Sequence, residues 1–344
     1  MLIELLLLLG SYNSSDQESI QLYSFNQETG QFSYVSGVRG VTNPTFLCTN
    51  AAHDHVYAVG EYDEDDKATM NALRLDKSTR TLTLLNTQQN HSGAPCNITL
   101  SPDEKQLISA NYTGGSLTVY DLNADGTLQE PSLIQYYGQG PNTTRQEKPH
   151  LHAVNFTPDQ QYLLANDLGQ DQIHVYPYPL DTNRGYSLHV DAGAGPRHLC
   201  FAPDGRHAYL ITELSGQIFT LSYEAGQLRV EDSLVADTVQ AGGSADIHMT
   251  SDGKYLYASH RLQNDGISIY KVNPTDGSLT RIGYQKTGIH PRNFAITPND
   301  RFLLVACRDS NAIQIFERDS ATGLLKDTGR SIQMTRPMFV KCIE

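Results

Sequence analysis

The sequence predicts an all-β protein, a seven-bladed β-propeller with four antiparallel strands per blade, from three observations. A unit that leads from a strand-like run into a Pro-Asp or similar turn recurs every 45 to 56 residues. Each unit holds four short alternating runs separated by turns rich in Gly, Asp and Pro, the pattern of antiparallel strands. No long window shows helical periodicity. Four strands in about 50 residues make one propeller blade.

Six units begin inside the chain, and the two chain ends supply a seventh. The six start at Pro44, Pro95, Leu151, Pro196, Ser244 and Pro291. The runs Leu5–Ser11, Ile20–Asn26 and Phe32–Ser36 read as strands two to four of the seventh blade, and Arg336–Val340 reads as its first strand. Joining the ends closes the ring and removes open sheet edges. We therefore expect one domain over residues 1–344.

Composition excludes several function classes. The 344 residues carry 25 Lys and Arg against 38 Asp and Glu, a net charge of −13, which argues against a nucleic-acid partner. Five single cysteines without a Cys-x-x-Cys pair predict free thiols in a reducing compartment, so we expect a cytoplasmic protein. We also expect a monomer, because a closed ring of seven blades can function alone. The run Leu2–Leu9 contains Glu4 and lacks a basic start, so we interpret it as a buried strand, with a signal-peptide remnant as the alternative. It is too short to span a bilayer, and we expect no membrane partner.

The spacing of the units predicts a polar rim at one mouth of the propeller. Because strands one and two are antiparallel, the start of the first lies beside the end of the second. This rim gathers His152, Arg197, Arg261, Arg292, Arg308, Glu213, Asp167 and Asn111. Four arginines together favour a carboxylate or phosphate ligand, and a His and a Glu are candidates for proton transfer. A purely structural pairing of Arg261 with Glu213 at the strand ends is the alternative.

The connection Tyr137–His150 is longer than those between the other blades. It contains Arg145 and leads directly into His150 and His152. Long ordered loops in compact domains often bind ligands, so we predict that this loop contributes to the site. A mobile surface loop is the alternative.

Several motifs together resemble the seven-bladed propeller lactonase family, which includes the propeller-type 6-phosphogluconolactonases and the fungal carboxymuconate lactonizing enzymes. The motifs are Gly140-Pro141-Asn142, Arg145-Gln146, Pro149-His150-Leu151-His152, Gly195-Pro196-Arg197-His198, Thr212-Glu213-Leu214 and Ser259-His260-Arg261. The resemblance covers essentially the whole chain and implies a catalytic site formed by His152, Arg197, Glu213 and Arg261. His260 is a departure, because the family more often has Asn before this Arg. To substrate binding we assign Asn111, Arg145, His150, Asp167, Arg292 and Arg308.

The resemblance implies hydrolysis of a sugar lactone, most plausibly 6-phosphogluconolactone. Arg197 and Arg261 would hold the anionic end of this small lactone or polarise its carbonyl, and either His152 or Glu213 would activate water. The sequence contains no Gly-x-Ser-x-Gly elbow and no metal-ligand spacing, so we expect neither a covalent nucleophile nor a metal or other cofactor. Two alternatives remain: a carboxymuconate-type lactonizing reaction, and a propeller that binds a ligand or a partner without catalysis.

Overall fold

The computed structural model describes residues 3–344 as seven antiparallel sheets of four strands each. The sheet that joins the chain ends has the order β28-β1-β2-β3, formed by β1 (Glu4–Ser11), β2 (Ile20–Asn26), β3 (Phe32–Val38) and β28 (Pro337–Ile343). Each of the other six sheets takes four consecutive strands. They are β4 (Leu47–Thr49), β5 (His55–Gly60), β6 (Thr69–Asp76) and β7 (Thr81–Gln89); β8 (Pro95–Leu100), β9 (Gln106–Asn111), β10 (Ser116–Asp121) and β11 (Ser132–Gln135); β12 (Leu151–Phe156), β13 (Tyr162–Asp167), β14 (Gln172–Pro177) and β15 (Tyr186–His189); β16 (Pro196–Phe201), β17 (His207–Thr212), β18 (Gln217–Glu224) and β19 (Gln227–Val235); β20 (Gly243–Met249), β21 (Tyr255–Arg261), β22 (Gly266–Val272) and β23 (Leu279–Lys286); β24 (Pro291–Ile296), β25 (Phe302–Cys307), β26 (Ala312–Arg318) and β27 (Leu325–Gln333).

Helical structure in the described part of the chain is confined to two 3-10 turns, Thr182–Arg184 and Arg308–Ser310. Between residues 3 and 344 no helix is long and apolar enough to cross a membrane.

The sheet that joins the chain ends confirms the predicted seventh blade. Strand β28 pairs with β1, so the C-terminal strand becomes the first strand of a blade that the N-terminus completes. The leucine-rich run forms β1, and its alternate residues Leu5, Leu7 and Leu9 pack in a buried cluster with Phe25 and Val340. Leu2, which we included in that run, lies outside the described residues. The burial of Leu5, Leu7 and Leu9 explains why this strand is rich in leucine.

The recurring Pro-Asp motif forms the turn between the first two strands of a blade. In the turn after β12, Thr157 Oγ1 donates to Asp159 Oδ1 (2.6 Å), and the same carboxylate oxygen accepts from the N–H of Gln161 (3.1 Å). The N–H of Thr157 then bonds the carbonyl of Tyr162 and closes the turn (2.9 Å). Short polar side chains stabilise such turns by bonding nearby backbone groups.

The predicted unit starts agree with the structure except at the first unit. Four of the strands begin at the predicted residue, and β20 begins one residue earlier. In the first unit, strand one is β4, which begins at Leu47 and not at the predicted Pro44. The chain makes a turn here, because Asn43 has a φ of 48° and its carbonyl accepts from the N–H of Thr45 (2.8 Å).

The chain forms two compact units. The first comprises residues 3–9, 23–34 and 197–344, and the second comprises residues 10–22 and 35–196. Each unit has its own buried clusters, for example Tyr209, Ile247 and Tyr270 in the first and Ile108, Leu117 and Val154 in the second. The single domain over residues 1–344 stays a prediction.

Candidate functional site

The strand register brings the start of strand one beside the end of strand two, as the spacing predicted. In three sheets the first residue of strand one pairs with the last residue of strand two: Pro95 with Asn111, Leu151 with Asp167, and Pro291 with Cys307. The register shifts at the very next residue of each first strand, which is Cys96, His152 or Arg292. A β-bulge of this kind redirects a side chain and is common beside active sites.

A buried triad of two arginines and one carboxylate lies in the first unit. Arg197 is the second residue of β16, Glu213 directly follows β17, and Arg261 ends β21. Glu213 Oε2 accepts from Arg197 Nε (2.9 Å) and from Arg261 Nη2 (2.7 Å). The structure therefore brings together three of the four residues predicted to be catalytic. Their burial makes the contacts strong, because charge-assisted hydrogen bonds strengthen away from water.

The two arginines of the triad differ in what they offer to a ligand. Arg197 is only 1% exposed, and its Nη1 donates to the carbonyl of Ala245. Arg261 is 6% exposed, and its Nε is buried without a hydrogen-bond partner among the described residues. Arg261 is thus the member of the triad with hydrogen-bonding capacity left over.

The triad extends to a second group of charged side chains in the same unit. Arg261 Nη1 lies 3.3 Å from His290 Nε2, and His290 Nδ1 lies 3.5 Å from Asp309 Oδ2. Asp309 in turn binds Arg308 through both oxygens, to Nε (2.7 Å) and Nη2 (2.9 Å). Arg292, at the bulge of β24, is half-buried. We call Arg261, His290, Arg292, Arg308 and Asp309 the arginine cluster.

Positive charge accumulates in the arginine cluster. Burial, with Arg197, Arg292 and Arg308 nearby, lowers the pKa of Arg261 to about 9 although Glu213 opposes the shift. Burial and the surrounding arginines also lower the pKa of His290 to about 3, so its imidazole is neutral at physiological pH. An anion in this place would relieve the repulsion.

Behind the triad lies a buried network around Asp246. His198 Nδ1 donates to Asp246 Oδ1 (2.7 Å), and His248 Nε2 donates to Oδ2 (3.0 Å). Asn293 Nδ2 also donates to Oδ2 (2.6 Å). Burial and Arg197 lower the pKa of His198 to about 4, so its imidazole is neutral and can accept at Nε2 from Arg197 Nη1 (3.4 Å). The network thus orients Arg197.

His152, the fourth predicted catalytic residue, lies in the second unit. It is 4% exposed, its Nδ1 is 3.8 Å from Cys96 Sγ, and the Tyr112 ring contacts it edge-on with ring centres 5.4 Å apart. Tyr112 also stacks on His150 (4.4 Å between centres), and its hydroxyl accepts from Arg145 Nη2 (3.0 Å). The structure therefore groups His152 with both loop residues that we assigned to substrate binding.

The carboxylate of Asp167 and the amide of Asn111 bind backbone and side chains of the protein. Asp167 Oδ1 accepts from the N–H groups of His150 and Gly169 (both 2.9 Å). The Asn111 side chain is fully buried and binds four neighbours, Asn90, Ser109, Ser116 and Thr118. Both residues thus hold the strand ends, and Asp167 also positions the backbone of His150. The assignment of both residues to substrate contact stays a prediction.

The long loop is ordered by two buried side chains. Gln146 Nε2 donates to the carbonyl of Leu168 (2.8 Å) and to Asp171 Oδ1 (2.7 Å). Asp171 also accepts from the N–H groups of Gly193 (2.7 Å) and Gly195 (2.8 Å). These contacts explain why a loop of this length keeps a defined path to His150.

Asp171→Asn should loosen this loop. The amide cannot accept all three hydrogen bonds, and a buried donor left unpaired costs about 1–3 kcal/mol, or roughly 5- to 150-fold in the opening equilibrium. Trypsin should therefore cleave after Arg145 faster by about that factor. The exposed Asp65→Asn serves as the control. Equal cleavage rates for the wild type and Asp171→Asn would contradict the anchoring role.

The described residues contain no group of three or more His, Cys, Asp or Glu side chains placed to hold a metal ion. All five cysteines are free thiols. Burial raises the pKa of Cys200, Cys307 and Cys342, which disfavours their nucleophilic thiolate forms.

Three residues near the predicted ones were not assigned a role from the sequence: Tyr112, Asp246 and His290. Tyr112 follows Asn111 directly, and Asp246 lies at a predicted strand start, where it occupies the bulge of β20. His290 precedes β24 and has a φ of 63°, a left-handed conformation that Ala94 and Arg336 also adopt directly before a first strand. Their positions beside strand starts and ends are the sequence signal that marks all three.

Comparisons with known proteins agree with the motifs. The family model described as "Lactonase, 7-bladed beta-propeller" matches residues 6–342. A 6-phosphogluconolactonase from Formosa agariphila is 35% identical over 318 residues, which cover 89% of this chain and 90% of the relative. The fold class predicted from the repeats is thereby confirmed.

Solved structures show the same likeness. A structure from Bacteroides fragilis is 46% identical, has a TM-score of 0.94, and is matched over 99% of this chain and 98% of its own. The periplasmic gluconolactonase of Pseudomonas aeruginosa is 29% identical, has a TM-score of 0.90, and is matched over 99% of both chains. The chain described here belongs to the seven-bladed β-propeller lactonase family.

Proposed function

We propose that this protein hydrolyses 6-phosphogluconolactone to 6-phosphogluconate without a metal or other cofactor. The observation that carries the proposal is the buried triad, in which one carboxylate fixes two arginines while Arg261 keeps unused donors. Such preorganised donors stabilise the negative charge that develops on a carbonyl oxygen during acyl transfer. The name of the Formosa agariphila relative supports the choice of substrate.

Arg261 is our candidate for the group that polarises the lactone carbonyl. Water adds to the carbonyl carbon, the carbonyl oxygen gains negative charge, and the bond from this carbon to the ring oxygen then breaks. The ring oxygen takes up a proton and becomes a hydroxyl, and the carbonyl carbon becomes the carboxylate of the product. Arg197 is almost fully buried, so we assign it to holding Glu213 and through it Arg261.

For the base that activates water we favour His152 over Glu213. Glu213 Oε2 already accepts two hydrogen bonds from guanidinium groups, so this oxygen has little capacity to take a proton from water. A histidine works as a base near neutral pH, and general-base catalysis contributes of order 10²–10⁴-fold. His152→Gln should therefore lower kcat for 6-phosphogluconolactone by about that factor.

The test of the proposed function is an assay of the wild type on freshly generated 6-phosphogluconolactone. The product is coupled to 6-phosphogluconate dehydrogenase, and the rate is corrected for spontaneous ring opening. We expect a rate proportional to protein concentration that disappears after heat denaturation. No rate above the spontaneous one would overturn the proposal, and conversion of a carboxymuconate instead would establish the lactonizing alternative.

We also propose that the protein acts as a monomer in the cytoplasm. Five free thiols fit a reducing compartment. Cell fractionation and sedimentation equilibrium test these two points. Recovery of the protein outside the cytoplasm, or the mass of a dimer, would overturn the corresponding one.

A further inference from the structure

We propose that the arginine cluster is a subsite for a phosphate dianion, with Arg292 and Arg308 as the residues that contact the phosphate. This inference rests on the proposed function and deepens it, because it assigns recognition of the phosphorylated end of the lactone to residues distinct from the triad's Arg197 and Glu213.

The positive and negative charges of the arginine cluster and the adjoining triad do not cancel. Four arginines, Arg197, Arg261, Arg292 and Arg308, face three carboxylates, Glu213, Asp309 and Asp265, of which Asp265 accepts from the N–H of His290. His290 adds no charge, since its pKa is about 3. One positive charge therefore remains in excess, and a second becomes available when Asp309 turns away from Arg308; together they match the charge of a phosphate monoester near neutral pH.

Arg292 has a guanidinium group that no described residue occupies. It is half-buried and forms no hydrogen bond or ion pair within the described part of the chain. Leaving the donors of a charged, partly buried group unpaired is costly, and a phosphate at Arg292 would satisfy them. The unpaired Nε of the neighbouring Arg261 stays available to the lactone carbonyl, so the two ends of the substrate use different arginines.

Arg308 already shows the geometry of oxyanion binding. Its Nε and Nη2 contact the two oxygens of Asp309 in the bidentate manner in which arginine also binds phosphate. The Asp309 side chain is 39% exposed, so it can turn toward solvent and release the guanidinium fork. Asp309 thus binds the guanidinium of Arg308 until an anion that binds it more tightly takes its place.

The backbone at His290 places its imidazole in the cluster. His290 has a φ of 63° and is 6% exposed, and its N–H donates to Asp265 Oδ2 (3.0 Å). The same left-handed conformation occurs directly before the first strand of other blades, at Ala94 and Arg336, so it belongs to the blade repeat. Here it places the imidazole between Arg261 and Asp309.

The experiment is calorimetric titration of 6-phosphogluconate and of inorganic phosphate into the wild type and three variants. Arg292→Gln and Arg308→Gln should each weaken binding of 6-phosphogluconate by about tenfold or more, since each removes a charge-assisted contact. Asp309→Asn should strengthen it several-fold, because the competing carboxylate is gone. Arg229→Gln, an exposed position elsewhere in the first unit, should bind as the wild type does. Thermal unfolding without ligand shows that all variants are folded.

Kinetics separate this inference from the proposed function. In the arginine variants the KM for 6-phosphogluconolactone should rise by a similar factor, while the KM for unphosphorylated glucono-1,5-lactone stays unchanged. Wild-type affinity in both arginine variants, weaker binding in Asp309→Asn, or no binding of either anion by the wild type would overturn the subsite. Variants that lose phosphate binding in a protein without lactonase activity would support the subsite and overturn the function.

Discussion

Glu213→Gln should lower the free energy of unfolding by about 3–5 kcal/mol. Glu213 is 8% exposed, and its Oε2 is the shared acceptor of Arg197 and Arg261. The neutral amide leaves two buried guanidinium groups that repel each other across a site that is poor in water. Urea unfolding of the wild type and the variant measures the loss.

A double-mutant cycle distinguishes this charge effect from a loss of packing. Arg197→Met combined with Glu213→Gln should cost less than the sum of the two single changes, because the second change removes a charge that the first left unpaired. The exposed pair formed by Glu28 and Arg301 (3.1 Å) provides the matched control, and Glu28→Gln should cost less than about 1 kcal/mol. A cost for Glu213→Gln as small as that of Glu28→Gln would contradict the buried triad.

Acid should destabilise the first unit through three buried neutral histidines. Burial lowers the pKa of His198 and of His260 to about 4, and burial with the nearby arginines lowers that of His290 to about 3, from an ordinary value near 6.5. Between these pH values the unfolded chain binds three protons that the folded chain does not, so stability falls as the pH falls. The free energy of unfolding should decrease by about 6 kcal/mol between about pH 7.5 and about pH 5. His248, whose raised pKa acts in the opposite sense, offsets part of this loss.

His260→Asn isolates one of the three contributions. His260 is fully buried between the hydroxyls of Ser244 (2.8 Å) and Ser268 (2.5 Å), and asparagine cannot bind a proton there. The variant should show about two thirds of the wild-type pH dependence of stability, whatever its stability at neutral pH. His189→Asn, at an exposed position, should leave the slope unchanged. An undiminished slope in His260→Asn would contradict the account.

The fold could be predicted in detail because each blade repeats the same local signals. The Thr157-Pro158-Asp159 turn and its counterparts fix where the first strand ends and the second begins, and this spacing gave the end of β21 at Arg261. The spacing fails at Pro44, where a turn at Asn43 delays β4. Periodicity predicts strands well where the turn chemistry repeats and poorly where it degenerates.

The candidate site could be predicted only in part. Arg197, Glu213 and Arg261 were found because they occupy equivalent places in successive repeats, and the structure shows them bonded to one another. The bulge at Arg292 and the left-handed conformation of His290 recur at the start of β8, at Cys96 and Ala94, and so belong to the repeat. The contacts of His290 with Arg261 and Asp309 join distant segments, so no local pattern announces them. For this reason the sequence predicted that these arginines lie close together, but not that His290 lies between Arg261 and Asp309.

Arg261→Lys tests the central claim most directly. Lysine keeps the charge but cannot hold Glu213 and a carbonyl oxygen in the same fork, and the loss of one oxyanion donor costs about 10²–10³-fold in kcat. The measurement is hydrolysis of 6-phosphogluconolactone by the wild type, Arg261→Lys and the exposed control Arg229→Lys, with folding of all three checked by circular dichroism. We expect the wild type and the control to have equal kcat/KM and the folded Arg261→Lys variant to lose at least about 100-fold. Wild-type kcat/KM in Arg261→Lys would contradict the claim that this arginine acts on the lactone.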